Sequence, residues 1–436
     1  MSDQPTPAGI PVSTLLVLML SVFTVSMGYG IVLPLLPYLI ERLLGSVSDA
    51  AQVSRATGLL TGLYTLALFL FAPLWGHLSD RFGRRPVLLI GLAGFSATMV
   101  TFAFIENLTA VYAERFLSGM FAAAVTPVAL AVIGDLAATE AARARRLTFV
   151  SLAGISGFLL GPMMGVFLTQ GSARWLAVAG AAGSLAVPLA GTALLAFLVA
   201  LGVAMTVPAG KPAEAPGIPG QPVPKPAAWL VPRLLALSFI VSAGIGVFEV
   251  GLALRGKQEL GLSQYEIAMM FTECSLVMLV VQVMVFSPLV KPEWTRWLIA
   301  PALGVLAAGL FLVPRASSLA MMLVVFGAVA ASVGILSPIF IYWISSKADK
   351  AQGSQLGIQT SAASLGTAFG SAAGGLLFGI AWLPDATFLR AAALSVAGVG
   401  LSLGLPQVLA SGDASASAKI AKLQKIAVPA APRRAR

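Results

Sequence analysis

Two glutamates, Glu249 and Glu273, stand inside long apolar runs, and a Glu114–Arg115 pair opens another. Ionisable side chains in such surroundings are expensive and usually serve a function. A carboxyl held away from water, with a second at similar depth, favours holding a proton. One that stays ionised there would bind a cation instead. Glu249 lies six residues before Arg255 and Glu273 eight after Tyr265, which is roughly 9 Å and 12 Å at the helical rise. On consecutive antiparallel helices the two therefore reach similar depth, a device for proton or substrate coupling. Neighbouring residues on a helix do not face one another, so Glu114 and Arg115 need not pair, and Glu114 can simply reach for the membrane surface. His77 is the only histidine and Cys274 the only cysteine. They leave no catalytic set, no metal set and no disulfide framework. No enzyme activity and no cofactor are expected.

The elements that must hold these residues follow from composition. Apolar residues make up 58% of the 436 and charged residues 10%, with mean hydropathy +0.93, whereas a soluble domain carries about a quarter charged residues. An all-α membrane protein is expected, with twelve spans of about twenty or more residues at 12–40, 56–75, 87–105, 110–134, 147–170, 175–206, 230–254, 265–289, 297–314, 317–344, 354–381 and 387–409. The first run is too long for a signal peptide and is expected to be retained. With the N-terminus inside, the inner segments and tail hold nineteen of the 27 Lys and Arg, and the outer segments seven. That asymmetry supports both termini being cytoplasmic, and an integral, multi-pass protein of the plasma (bacterial inner) membrane is expected. The net charge of +10 then reflects loop topology and attraction to lipid heads. It does not point to a nucleic-acid partner, because the basic residues are dispersed.

Seven prolines between Pro208 and Ala228 make that stretch an extended linker. It divides an N-terminal six-helix bundle, 1–207, from a C-terminal one, 229–409, with a basic cytoplasmic tail at 410–436. "FAPLW" (71–75) returns as "FSPLV" (286–290), and "GFLLGPMMG" (157–165) compares with "GSAAGGLLF" (370–378). These echoes favour two pseudo-symmetric halves.

The segment "WGHLSDRFGRRPVLL", Trp75 to Leu89, falls on the turn between the second and third spans. The order Gly76, Asp80, Arg81, Gly83, Arg84, Arg85 resembles the loop signature of the major facilitator superfamily. "ERFLSGMFAAAV" (114–125) looks like that family's fourth-span motif, with Arg115 as its arginine. "GFLLGPMMGV" resembles the fifth-span antiporter motif, with Gly157, Gly161, Pro162 and Gly165 in place and Val166 where a glycine is usual. Together with "GYGIVLPLLP" (28–37), the pattern is most similar to twelve-span drug–proton antiporters of the tetracycline-exporter kind. The resemblance implies a gating role for the loop. Asp80 would accept from the amides near Gly353, Arg81 or Arg84 would pair with Asp135, and Gly76 and Gly83 would permit tight turning. The three glycines of the fifth span share a face suited to close packing.

The expected reading is a proton-coupled exporter of a small organic or drug-like compound, working by alternating access, with Glu249, Glu273 and Arg115 as coupling candidates. Its partners are the substrate, protons and membrane lipids, and it is expected to be a monomer. A thin polar inventory, with Tyr29, Gln282, Tyr342 and Gln359 as cavity candidates, suits an amphipathic compound better than a sugar. The alternatives are a nutrient or metabolite symporter or uniporter, and a transport-inactive receptor or scaffold on the same fold.

Overall fold

The computed structural model describes residues 10–45, 49–136, 140–175, 182–209, 229–285, 294–346, 352–379, 385–407 and 409. Most of the expected linker and the whole tail lie outside the described residues, as does "FSPLV". The described residues are 91% helical and include no strand. Lipid imposes this, because a spanning backbone must satisfy its own polar groups. The helices are α1 (Val12–Leu44), α2 (Ala50–Phe82), α3 (Arg84–Ala103), α4 (Leu108–Ala122), α5 (Val125–Leu136), α6 (Glu140–Trp175), α7 (Ala182–Thr206), α8 (Leu230–Leu254), α9 (Gln264–Val285), α10 (Thr295–Leu312), α11 (Leu319–Ser346), α12 (Gln352–Leu376) and α13 (Ala386–Ser402). Ten described segments are long and apolar enough to cross a membrane. The protein is a multi-pass bundle of twelve spans, α4 and α5 together forming the fourth.

The break in the fourth span has a local cause. Pro127 has no N–H to give the carbonyl of Ala123, so the regular ladder fails there. Before it, the Ala124 amide bonds one residue short, to Phe121. Asp49 and Asn107 accept from the amides of Ala51 and Ala110 and start α2 and α4. Gly83 joins α2 to α3 at φ 99°, a conformation that costs a side-chain-bearing residue but not glycine.

Helix packing repeats across the two halves. α1 packs on α6 as α8 packs on α12, and α3 on α7 as α10 on α13. Gly157, Gly161 and Gly165 of α6 meet α1 at Phe23, Met27 and Ile31, while Gly366, Gly370 and Gly374 of α12 meet α8 at Phe239, Ala243 and Val247. Glycine every fourth residue therefore sets the same close crossing twice. The true counterpart of Gly157 is Gly366, one turn earlier than the sequence echo suggests, because packing register and not letter similarity fixes the pairing. One apolar core is drawn almost wholly from α8–α13 and another from α1–α7. The halves meet along α2–α12 and α6–α9.

Candidate functional site

Between the halves lies a cavity of about 510 Å³. Its walls come from α1, α2 and α4–α6 on one side and from α8, α9, α11 and α12 on the other. Aromatic and apolar groups dominate it: Tyr29, Tyr64 and Phe158 face Phe248, Phe271 and Phe340. Of the Asp, Glu, Lys, Arg and His residues described, Glu249 alone lines it. Glu249 is 7% exposed, and its Oε2 accepts a hydrogen bond of 2.7 Å from the Tyr29 hydroxyl. No cation pairs with it among the described residues. A buried charge lacking a counter-charge is costly, so this site calls for a proton or a cationic ligand.

Several expected site residues sit elsewhere. Glu273 does not line the cavity. It is half-buried, accepts only a long 3.5 Å contact from the Cys274 thiol, and points at α11, where a β-carbon on Gly327 would lie 2.8 Å from its Oε1. Equal depth on consecutive helices did not bring the two glutamates together, because α9 packs on α11 and α6 whereas α8 packs on α12 and α13. Gln282 and Tyr342 are also absent from the cavity lining, whereas Tyr29 and Gln359 belong to it. Gln359 donates from Nε2 to the Ser238 hydroxyl at 3.2 Å.

Arg115 lies behind the cavity wall. It and Glu114 form a two-pronged pair at 2.6 and 2.8 Å, both 2% exposed at the side chain. Adjacent helical residues pair here because both long side chains bend into the same enclosed space, where neither could be left alone. Glu114 therefore does not reach for the membrane surface. The guanidinium also stands 4.4 Å from the Phe102 ring centre and 5.7 Å from that of Tyr64. Glu114→Gln would leave Arg115 buried without its counter-charge and is expected to cost roughly 3–5 kcal/mol. A thermal melt of the purified variant checks this, and an unchanged melting temperature would refute the structural role.

Sequence reasoning missed Tyr64, Phe158 and a set of cavity hydroxyls that includes Thr126, Ser242 and Ser337. The signal for the rings lay in helical spacing between α2 and α6, which needs the fold to be read. Several lining hydroxyls are already engaged: Thr65, Ser275 and Thr367 donate to carbonyls of their own helices. The cavity therefore offers fewer free donors than its Ser and Thr content implies.

At the end opposite the N-terminus, here the far end, the halves are tied together. Lys257, in a π-helical turn at Arg255–Glu259, donates to Glu41 at 2.5 Å and to the Pro37 carbonyl at 3.0 Å, with Tyr38's ring 4.5 Å away. Tyr38 donates to the Leu262 carbonyl at 2.6 Å, and Gln258 donates to the Ala50 carbonyl at 3.1 Å. Gly58 and Gly62 of α2 press directly on α12. π-Helical turns are rare and recur at functional sites. This one supplies the far-end closure.

The loop signature sits at the other end and bonds only within its own half among the described residues. Arg84 bridges Asp80 at 2.5 Å and Asp135 at 2.9 Å, while Arg85 caps the carbonyl of Ala204. Arg81 lies over Phe82. Asp80 has two-thirds of its side chain exposed, so in this far-end-closed arrangement it does not show the expected cross-half contact. The side chains around Gly353 lie outside the described residues. Nothing lies within 4 Å of a β-carbon on Gly76, so close packing does not require that glycine here; Gly83 is called for by its φ of 99° instead. Because Asp80 itself is largely exposed and Arg84 keeps its bond to Asp135, Asp80→Asn is expected to change stability by no more than about 1 kcal/mol. Transport should fall severely all the same, provided that the contact forms in the opposite state. Paired melting and flux measurements check this, and normal flux would remove the gating role.

The model of the major facilitator superfamily matches residues 18–371. Multidrug resistance protein 1 of Bacillus subtilis (strain 168) is 28% identical over 376 residues, covering 84% of this chain and 90% of that protein. Quinolone resistance protein NorA of Staphylococcus aureus (strain MSSA476) is 25% identical over 390 residues, covering 89% of this chain and 95% of that one. Tetracycline resistance protein, class B, of Escherichia coli is 37% identical over 145 residues, 33% of this chain and 34% of that protein. Among solved structures, the human organic anion transporter MFSD10 (TETRAN) superposes with a TM-score of 0.66 at 22% identity, covering 90% of this chain and all of that one. A D-xylose-proton symporter superposes with a TM-score of 0.69 at 17% identity, covering 90% and 97%. At these identities the structural likeness is one of fold.

Proposed function

The chain belongs to the major facilitator superfamily and is a membrane transporter, and we propose that it exports small, largely apolar organic compounds in exchange for protons, by alternating access. One observation carries this reading: among the described residues, Glu249 is the single carboxyl in an otherwise uncharged aromatic cavity between the two halves. A proton or a positively charged part of the substrate relieves its buried charge, and both cannot do so at once. Competition for one group is the simplest basis for exchange, since each ligand must leave before the other binds. Ring faces and few free hydroxyls favour flat, amphipathic molecules over sugars, which need many hydrogen-bond partners. The drug-resistance relatives agree in kind, through their names.

The distribution of Lys and Arg supports both termini inside, so the far end faces outwards and is closed in this structure. The cavity would then load from the cytoplasmic side and release after the Lys257–Glu41 closure parts. Glu114 and Arg115 stiffen the wall behind Tyr64, while Glu273, outside the cavity, takes no part in substrate contact.

Reconstitution tests the proposal. Proteoliposomes with an imposed pH gradient should move a quinolone, tetracycline and a fluorescent lipophilic cation against their gradients, and a protonophore should abolish that movement. Uphill movement that persists with the proton gradient collapsed would refute proton exchange. Failure to move any of the three probes, by protein shown to be folded, would refute the substrate class.

A further inference from the structure

We infer that Tyr29 is the positioning residue through which occupancy of Glu249 controls the rocking of the two halves. The inference rests on the reading of Glu249 as the proton site and goes beyond it by assigning the element that senses the proton. Tyr29 belongs to α1 in the N-terminal half and Glu249 to α8 in the C-terminal half, so their 2.7 Å bond joins the halves inside the cavity.

The tyrosine is unusually well fixed. Its ring stacks on Tyr64 of α2, with centres 4.9 Å apart and planes 17° apart, and on Phe158 of α6 at 5.9 Å and 26°. The helices bearing these rings are themselves locked. A β-carbon on Gly30 would lie 3.0 Å from the Phe158 carbonyl oxygen, and one on Gly119 would lie 2.3 Å from that of Tyr64. Tyr29 is therefore part of a rigid aromatic platform in one half, and Glu249 docks on it from the other.

The strength of that docking depends on charge. A phenol donating to a carboxylate forms a charge-assisted bond, roughly twice as strong as a neutral one. When a proton binds to Glu249, the acceptor loses its charge and itself carries an O–H, so the clasp weakens. A cation seated on the carboxylate competes for the same lone pairs. Either ligand loosens the contact that holds the cavity walls together, and so binding is converted into freedom to rock.

The other groups around the pair are few. Tyr64 on α2 and Cys274 on α9 line the same cavity, Arg115 and Glu114 stand behind Tyr64, and Glu273 on α9 points away to Gly327. The described cavity-lining residues of α11 and α12 carry no charge, and those of α12 include Gln359.

The test follows the far-end separation as a function of pH, using spin labels on cysteines introduced at Arg42 and Tyr265, which are exposed ends of the two halves. Cys274 is buried and is replaced by serine in every sample. In the parent protein the separation should shift between two populations as pH changes. Tyr29→Phe keeps the ring and loses the hydroxyl. It should flatten that shift and cut gradient-driven flux about tenfold, the scale of one charge-assisted hydrogen bond. Tyr64→Phe, which keeps the stack and does not touch the Glu249 bond, should retain the shift. Glu249→Gln should flatten it, and the double variant Tyr29→Phe with Glu249→Gln should resemble either single variant. A shift retained in Tyr29→Phe but lost in Glu249→Gln overturns the clasp alone. Equal loss in Tyr29→Phe and Tyr64→Phe also overturns it, by showing that the effect is not specific to the hydroxyl that bonds Glu249. A shift retained in Glu249→Gln overturns the proton-site reading, and the clasp with it.

Discussion

Gly375→Ala is expected to hold the far end open while leaving the protein folded. A β-carbon on Gly375 would lie 2.3 Å from the carbonyl oxygen of Ser54 and 2.6 Å from the α-carbon of Gly58. Both belong to α2, in the opposite half, so the clash exists only while the halves are closed at that end. Overpacking of this kind costs about 1–3 kcal/mol, which here penalises one conformation and spares the other. The closed-to-open ratio should therefore fall roughly 5- to 150-fold. The Arg42–Tyr265 label pair reads it directly as a longer separation, with the melting temperature little changed. If the separation stayed at its parent value, the α2–α12 crossing would not be a gate.

The same substitution five residues earlier should behave in the opposite way. A β-carbon on Gly370 would lie 2.0 Å from the carbonyl oxygen of Ala243 and 2.7 Å from its carbonyl carbon, on α8 of the same half. That interface persists in every conformation, and the obstacle is backbone on both sides, so neither partner can turn away. Gly370→Ala should lose about 1–3 kcal/mol or more of stability. It should appear as lower membrane yield and a lower melting temperature, with the surviving fraction keeping the parent label separation. A stable Gly370→Ala protein with a longer far-end separation would show that the two contacts had been assigned to the wrong interfaces. The contrast between the two variants separates packing that builds a half from packing that joins the halves.

Much of this architecture could be read from composition and spacing. Twenty-residue apolar runs leave lipid as the only fitting solvent, and every expected span corresponds to a helical segment, with ends displaced by several residues. The turn at Gly83 was legible too, although the letters named Gly76 beside it and, of the two, only Gly83 takes a positive φ. The break at Ala123 and Ala124 was less so: Pro127 was visible, but prolines at positions such as Pro34 and Pro162 leave their helices continuous. A proline in the letters therefore does not by itself say which helix will part. The π-helical turn at Arg255–Glu259 had no signal in its letters.

The cavity was only partly legible for a related reason. Depth along a helix follows from residue count, but rotational position about its axis does not, once apolar residues surround the helix on every side. Glu249 and Glu273 illustrate a further limit: depth and chain order grouped them, but α9 packs on α11 and α6 and not on α8, which leaves Glu249 against Tyr29 and Glu273 against Gly327. Glu114 and Arg115 show the converse. Helical geometry argued against an i, i+1 pair, yet burial of two opposite charges in one enclosed space enforced it.

The central claim is that substrate and proton exchange at Glu249, and the most direct measurement is proton release on binding. Purified protein in weakly buffered detergent, near neutral pH, is mixed with a lipophilic cation that it binds, and a pH indicator follows the solution. The account predicts that binding to the parent protein releases protons, and that Glu249→Gln still binds the compound but releases none. Binding to the parent without release, or equal release from Glu249→Gln, would contradict it.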